Sequence, residues 1–384
     1  MNNGGETYIV RSFILRRGFR AVIGWVLLWG GVWLAGQEAA MASATGLRQM
    51  VGQMIMVGFQ GNNVASAGFS AVRDDIAAGR AGGVMYLGFN VFSLGNVEKM
   101  NEELVAVANG PVPFIGLDQE GGRVERLTKE VGFNEIPSAS RIAATQSPHQ
   151  AQDTYFAMAS DLSDLGFNLN LGPVVDLNIN PDNPIIGRYQ RSYGIDVDIV
   201  TTYASSFIDA HRQAGILTAV KHFPGHGSSR ADTHEGFVDI SNYWQPEELL
   251  PYQNLLDTGR VDMVMIAHLF HERFSQADGG QLPASLSKSW INGVLRTELG
   301  YDGVVISDDM EMGAITERFS MEQAIILAVE AGVDILLFSN TANYRAGLAK
   351  EIGDILIAKA EADPAFLERI EQSYERIMRL KQSL

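Results

Sequence analysis

Short, almost wholly apolar runs alternate with longer segments of helical periodicity from Leu47 to the end of the chain. Eight of these runs predict strands: Ile55–Gly58, Val84–Leu87, Pro113–Leu117, Phe167–Leu171, Leu217–Val220, Met263–Ile266, Gly303–Ile306 and Asp334–Phe338. Most of them are continuously apolar rather than alternating, as expected of parallel strands that are buried on both faces. The pattern therefore predicts a parallel sheet with right-handed helical crossovers.

The segments between the strands predict amphipathic helices. They include Val97–Ala108, Gln150–Leu165, Val200–Ala214 and Met321–Ala331, with Tyr344–Ala360 and Pro364–Leu380 as closing helices. Eight such units predict an α/β fold, a single (β/α)₈ TIM-type barrel with extra C-terminal helices, over residues 43–384. A doubly wound open sheet is the alternative. No G-x-G-x-x-G follows the first strand, so the sequence gives dinucleotide binding no support.

The first 42 residues have a different character. Four arginines stand among residues 11–20 without an acidic residue, and the apolar run AVIGWVLLWGGVWLAG follows. A basic stretch, a short apolar run and a small-residue site at Ala40-Met41-Ala42 are typical of a secretory signal, which predicts export to the periplasm or the extracellular space. The alternative is an uncleaved anchor over residues 21–36, which is short for a span of roughly 20 residues.

Charge and cysteine content narrow the function classes. The formal net charge of −16 argues against broad electrostatic binding to nucleic acid, and it leaves the N-terminal segment as the only predicted route to a membrane. Cysteine is absent, which excludes disulfides, thiolate metal sites and a cysteine nucleophile.

Polar or charged residues follow six of the eight predicted strands, at the ends where barrel enzymes place their active sites. They are Asp118, Asp176, Lys221 with His222, His268, Asp308 with Asp309, and Ser339 with Asn340. A single aspartate after a strand often only caps the next helix. Six such ends together predict a pocket for a small, heavily hydroxylated ligand.

Four segments make the prediction specific. They are GLDQEGGRVERL at 116–127, KHFPGHG at 221–227 with Asp232-Thr233-His234 after it, PASLS at 283–287, and GVVISDDMEM at 303–312. In these segments the chain resembles glycoside hydrolase family 3, in its bacterial β-N-acetylglucosaminidase branch. The resemblance runs from about Leu47 to the end, and it implies a retaining exo-β-N-acetylglucosaminidase that needs no cofactor.

The resemblance assigns the catalytic roles. Asp308 matches the nucleophile that forms a covalent glycosyl-enzyme, and Asp309 is left to cap the following helix. His234 matches the acid/base, and Asp232 matches the carboxylate that orients it. A histidine of ordinary pKa near 6.5 can donate and accept a proton near neutrality.

The resemblance also assigns the sugar-binding residues. Asp118, Arg126, Lys221 and His222 match residues that bind hydroxyl groups. The family's link before the motif Arg191-Ser192 is usually shorter than Ile186–Gln190 here. Either Arg188 or Arg191 could therefore occupy the second arginine position, and Arg191 is the predicted one.

Other interpretations remain open from the sequence. Because His222 and His226 have i, i+4 spacing, a metal site is conceivable, although the glycines and proline between and after them argue against a helix. A sugar-binding protein without turnover would need neither Asp308 nor the Asp232–His234 pair. A phosphorylase or a β-glucosidase could use the same fold. The expected partner is a small carbohydrate, from cell-wall muropeptides or chitin fragments, and the expected assembly is a monomer.

Overall fold

The strands of the protein are short and buried. In the computed structural model, which describes residues 46–341 and 343–384, the strands are Ile55–Gly58 (β1), Gly83–Tyr86 (β2), Phe114–Leu117 (β3), Leu169–Asn170 (β4), Leu217–Phe223 (β5), Met263–Ile266 (β6), Val304–Ser307 (β7) and Leu336–Phe338 (β8). Every residue of these eight strands is buried, which agrees with the apolar runs that predicted them.

The eight strands are parallel and form a ring. Hydrogen bonding follows the order β8-β1-β2-β3-β4-β5-β6-β7, and a parallel bridge between Ile306 and Ile335 joins the two end strands. This closure confirms the predicted (β/α)₈ barrel and excludes the doubly wound open sheet. Residues 48–384 form one compact unit.

Helices follow the strands along the chain. They span Ala67–Ala77, Leu94–Val107, Ala139–Thr145, Pro148–Asp164, Val197–Gln213, Leu250–Leu256, Glu272–Ala277, Ser289–Glu298, Gly313–Thr316, Met321–Ala331, Leu348–Ala362 and Pro364–Lys381. Polar residues set several of their starts: Ser93, Ser147, Asp196 and Ser320 each accept a hydrogen bond from a backbone N–H of the first turn. Periodicity alone placed three of these four starts two or three residues late, because the first turn carries polar residues.

A small parallel sheet of Val238–Asp239 and Leu269–Phe270 lies outside the barrel ring. No helix among the described residues is long and apolar enough to cross a membrane. The predicted signal or anchor in residues 1–42 lies outside the described part of the chain.

Candidate active site

A cleft of about 360 Å³ opens at the carboxyl ends of the strands. All eight site residues that the sequence predicted line it: Asp118, Arg126, Arg191, Lys221, His222, Asp232, His234 and Asp308. They come from the segments that follow β3, β4 and β7, and from β5 and the loop beyond it. The barrel therefore brings together residues that are as far apart as 190 positions in the sequence, between Asp118 and Asp308.

Asp308 lies directly after β7, where its backbone N–H donates to the carbonyl of Ile266 in the neighbouring strand. Its Oδ1 accepts a hydrogen bond of 2.8 Å from the backbone N–H of Asp309. Burial raises the pKa of Asp308, but the nearby imidazoles of His222, His268 and His234 outweigh burial and leave this pKa below its ordinary value. Asp308 is therefore an ionised carboxylate at neutral pH.

The neighbouring Asp309 has a different environment. Its Oδ1 accepts hydrogen bonds from the backbone N–H groups of Glu311 and Ser339, so it ties the end of β7 to the end of β8. Burial raises the pKa of Asp309. The expectation that Asp309 caps the next helix is wrong. That helix, Gly313–Thr316, has Met312 at its N-cap position and no side-chain capping bond, and the Asp309 carboxylate is used instead in the contacts with Glu311 and Ser339.

Asp232 and His234 form a hydrogen-bonded pair at the mouth of the cleft. Oδ1 of Asp232 lies 2.7 Å from Nδ1 of His234 and also accepts the backbone N–H of His234 at 2.8 Å. The His234 side chain is 64% exposed and that of Asp232 is 20% exposed. Because Nδ1 faces the carboxylate, Nε2 is the nitrogen that can exchange a proton with a ligand in the cleft.

The loop that carries this pair is docked on the segment after β7. The carbonyls of Thr233 and His234 accept hydrogen bonds from the backbone N–H groups of Ala314 and Gly313. A Cβ at Gly313 would lie 2.8 Å from the carbonyl oxygen of His234, so only glycine allows this approach. The loop with the Asp232–His234 pair and the segment that follows Asp308 are thus held together by backbone contacts.

Asp118 sits between two cations at the end of β3. Its Oδ1 accepts from Nζ of Lys221 at 2.7 Å, and its Oδ2 accepts from a guanidinium N–H of Arg126 at 2.7 Å. Burial alone would raise the pKa of Asp118, but Lys221 and Arg126 together hold this pKa well below its usual range. The three side chains form a fixed, charged surface that can donate hydrogen bonds to hydroxyls and accept bonds from them.

Glu120 is a buried partner of two of the predicted site residues, and the sequence reasoning missed it. Arg191 contacts it through two guanidinium nitrogens at 2.8 Å each, and Nζ of Lys221 lies 2.7 Å from its Oε1. Burial raises the pKa of Glu120, and Arg191 and Lys221 outweigh burial and lower it. The sequence signal was its place in GLDQEGGRVERL. Its partners lie 71 and 101 positions away, so the sequence alone does not reveal the pairing.

Asp176 was placed at a strand end by the sequence, but its role was not assigned. Its Oδ2 lies 2.7 Å from Nδ1 of His222, and its Oδ1 accepts the backbone N–H of His226 at 2.7 Å. A guanidinium nitrogen of Arg191 lies 3.3 Å from Nε2 of His222. The two ring nitrogens of His222 thus face Asp176 on one side and Arg191 on the other, which fixes the orientation of the ring.

Lys221 and His222 are consecutive residues, yet both face the cleft. Consecutive residues of a regular strand point to opposite faces. The register between β5 and β6 shifts between Val220 and Phe223, and this irregularity turns both side chains inward. The sequence prediction ended β5 at Val220, because two polar residues interrupt the apolar run there.

The structure also separates the two candidate arginines. Arg191 lies in the cleft and is buried against Glu120, whereas Arg188 is exposed and does not line the cleft. Of the two candidates, Arg191 is thus the one that lines the cleft, and its role in binding sugar stays a prediction.

The histidines of KHFPGHG are used in hydrogen bonds within the protein. Nδ1 of His226 lies 2.7 Å from the hydroxyl of Ser229 and its Nε2 lies 3.4 Å from that of Thr233, while Asp176 occupies Nδ1 of His222. Burial lowers the pKa of His226 to about 4. Within residues 46–341 and 343–384, no group of three or more histidine, cysteine, aspartate or glutamate side chains is arranged to hold a metal ion.

The chain is similar to known proteins in sequence and in fold. The family model described as glycosyl hydrolase family 3 N-terminal domain matches residues 46–380. Beta-hexosaminidase LpqI of Mycobacterium tuberculosis is 37% identical over 282 residues, which cover 71% of this chain and 65% of that relative. The match thus spans slightly less than two thirds of the length of this curated relative.

Two solved structures are similar. The glycoside hydrolase family 3 beta-N-acetylglucosaminidase of Paenibacillus sp. FPU-7 superposes with a TM-score of 0.78 at 35% identity, over 88% of this chain and 62% of that one. The beta-N-acetylhexosaminidase of Beutenbergia cavernae gives a TM-score of 0.76 at 30% identity, over 88% of this chain and 98% of that one. Since the family model covers nearly all of the described residues, the chain belongs to glycosyl hydrolase family 3.

Proposed function

We propose that the protein is a retaining exo-β-N-acetylhexosaminidase that uses Asp308 as nucleophile and the Asp232–His234 pair as acid/base. One observation carries the proposal: the ionised carboxylate of Asp308 and the imidazole of His234, which Asp232 orients, line the same cleft. The names of the relatives, beta-hexosaminidase and beta-N-acetylglucosaminidase, support the same activity.

The reaction proceeds in two displacements. In the first, Asp308 attacks the anomeric carbon while the imidazolium of His234 gives its Nε2 proton to the departing glycosidic oxygen. In the second, neutral His234 takes a proton from water, which attacks the anomeric carbon and releases Asp308 as a carboxylate. Asp232 keeps the ring oriented and stabilises the imidazolium that each cycle restores, as the aspartate of a serine protease triad does.

The charged cluster of Asp118, Arg126 and Lys221 binds the hydroxyl groups of the terminal sugar. The cluster is held by its own ion pairs before any ligand arrives, so its donors and acceptors need little reorganisation when the sugar binds. Arg191 and His222 extend this surface toward Asp308. Such fixed polar groups discriminate against a ligand that lacks the matching hydroxyl or amide group, and they do so more strongly than an apolar pocket discriminates by size.

A phosphorylase is the second candidate, because the acid/base is an imidazole paired with Asp232 rather than a free carboxylate. A free carboxylate there would repel phosphate, whereas an imidazolium would attract it. Product analysis with and without inorganic phosphate decides between water and phosphate as the acceptor: a sugar 1-phosphate would establish the phosphorylase.

We also propose that the protein acts outside the cytosol, on cell-wall or chitin fragments. The basic and apolar residues of the first 42 positions support export, and fragments of both polymers carry β-linked N-acetylglucosamine.

The proposed activity is tested by comparing an aryl β-N-acetylglucosaminide with the matching aryl β-glucoside. We expect kcat/KM to be larger for the acetamido sugar by ~10²-fold or more, because a site that bonds the acetamide discriminates strongly against its absence. Equal or greater kcat/KM for the glucoside would refute the hexosaminidase and favour a β-glucosidase on the same fold.

A further inference from the structure

The link Ile186–Gln190 contributes one residue to the wall of the cleft. Tyr189 lines the cleft, whereas its neighbours Arg188 and Gln190 are exposed. Gln190 adopts a left-handed backbone conformation with φ of 56°, which is uncommon for a residue other than glycine. Such a conformation persists where surrounding contacts enforce it.

Contacts hold both Gln190 and the neighbouring Tyr189 in place. The hydroxyl of Ser138 donates to Oε1 of Gln190 at 3.1 Å, and the backbone N–H of Ser140 donates to its carbonyl oxygen at 3.1 Å. On the cleft side, the guanidinium carbon of Arg123 lies 4.3 Å from the centroid of the Tyr189 ring. A cation at this distance from an aromatic face is attracted to it and restricts the ring.

Arg123 is itself held on a tight turn. The residues on either side of Gly122-Arg123 form an antiparallel bridge, Gly121 with Val124, and Gly121 and Gly122 both have positive φ. A Cβ at Gly122 would lie 2.7 Å from Cβ of Ser138, the residue that bonds Gln190. The turn, Ser138 and the link therefore pack as one unit around Tyr189.

Chain neighbours connect this unit to the charged residues of the cleft. Tyr189 stands two residues before Arg191, and Arg123 stands three residues before Arg126. Arg126 belongs to the cluster with Asp118 and Lys221, and Arg191 is joined to this cluster through Glu120, which also contacts Lys221. In the proposed reaction these groups bind the terminal sugar, and the leaving group departs on the side of His234.

We infer that Tyr189, held by Arg123, is the wall that closes the cleft beyond the non-reducing end and restricts the enzyme to removing one terminal sugar at a time. This inference rests on the proposed function. A sugar whose 4-hydroxyl carries another residue would have to displace the ring and break its contact with the guanidinium. The same wall excludes terminal sugars that bear a bulky substituent at that end.

The test uses the full-length protein and the aryl β-glycoside of the β-1,4-linked N-acetylglucosamine disaccharide. The wild type should release N-acetylglucosamine first, so that the aryl group appears after a lag. In Tyr189→Ala we expect a direct route that releases the intact disaccharide together with the aryl group. The ratio of disaccharide to monosaccharide among the first products should rise by about tenfold or more, the scale on which pocket size discriminates.

Arg188→Ala is the matched control, since it alters the same link at an exposed position that does not line the cleft; its product ratio should equal that of the wild type. Arg123→Ala keeps the Tyr189 ring but removes the guanidinium that holds it, so we expect a smaller rise in the ratio of disaccharide to monosaccharide. This variant decides the question if Tyr189→Ala does not fold. An unchanged ratio in a folded variant that still cleaves the aryl monosaccharide would overturn the inference. A wild type inactive on the aryl monosaccharide would instead count against the proposed function.

Discussion

Two adjacent carboxylates, Asp308 and Asp309, differ at the residue scale because their neighbours differ. Three imidazoles near Asp308 lower its pKa, while Asp309 is buried among backbone groups and its pKa is raised. Environment rather than residue type thus distinguishes the two: Asp308 is the carboxylate to which we assign the chemistry, and Asp309 joins two strands. The family resemblance selected Asp308 from the sequence; the joining role of Asp309 needed the contact with Ser339, 30 positions away.

Replacement of His234 tests the acid/base at this scale. General acid catalysis contributes ~10²–10⁴-fold, in proportion to how much the leaving oxygen needs a proton. We therefore expect His234→Ala to lose nearly all activity on natural disaccharides, and much less of the glycosylation rate on an aryl substrate with a very good leaving group. A burst of aryl release should follow, since the same residue must activate water.

Asp232→Ala serves as the graded companion of this variant, because it misorients the imidazole without removing it; a milder defect of the same pattern is expected. A metal site would behave differently: the histidine variants would then fail equally on all leaving groups, and a chelator would inactivate the wild type. Kinetics across a series of leaving groups, with and without chelator, distinguish the two accounts.

At the scale of elements, strand β5 and the loop after it organise the site. The loop is backed by the segment Trp244–Glu248: the indole N–H of Trp244 donates to the carbonyl of Pro224, and Oε2 of Glu248 accepts the backbone N–H of Ser228. A Cβ at Gly225 would lie 2.6 Å from Cβ of Glu248. The loop that carries His226 therefore packs directly against the buried side chain of Glu248.

Glu248 gives a pH dependence to the free energy of unfolding. Burial raises its pKa to about 8, from 4.5 in an unfolded chain. Its stabilising contribution is thus fully present below pH 4.5 and is lost as the pH rises through about 8. Relative to Glu248→Gln, which keeps the shape without the charge, the wild type should lose at least about 1 kcal/mol of stability between pH 5 and 9.

Denaturant unfolding of the two proteins at a series of pH values measures this difference. Because both proteins share every other titrating group, the remaining pH dependence cancels in the comparison. A difference that stays constant between pH 5 and 9 would show that Glu248 does not titrate with a raised pKa.

The sequence predicted the elements better than it predicted their contacts. Continuous apolar runs identify the eight strands because a barrel strand is buried on both faces, and β1 and β6 were predicted with their observed bounds. Two pairs were not predicted, because their members are far apart in the sequence. Asp176 and His222 are 46 positions apart, and Glu120 and Arg191 are 71 positions apart. Such pairings depend on strand register and loop path, which periodicity does not contain.

At the scale of the whole molecule, the closed ring explains why the site could be located before its geometry was known. All parallel strands of a barrel end at the same face, so residues that follow strands must converge there. The eight predicted site residues do line one cleft at that face. Their individual roles in catalysis and binding remain predictions, of which the variants above test those of His234 and Asp232.

Export is a prediction for the whole molecule that depends on residues 1–42. We expect the mature protein to be found outside the cytosol and to begin near Ser43, after Ala40-Met41-Ala42. N-terminal sequencing of the protein from fractionated cells measures this. A membrane-bound protein with an intact N-terminus would indicate the anchor over residues 21–36, and a full-length soluble cytosolic protein would refute both forms of the prediction.

The central claim is that Asp308 forms a covalent bond with the sugar. A 2-fluoro or 5-fluoro glycosyl substrate slows the turnover of such an intermediate, so that it accumulates and can be located by proteolysis and mass spectrometry. The account predicts one glycosyl group per chain on the peptide that contains Ser307-Asp308-Asp309, with fragmentation placing it on Asp308. A label on Asp309, or no adduct with a probe that is demonstrably turned over, would contradict it.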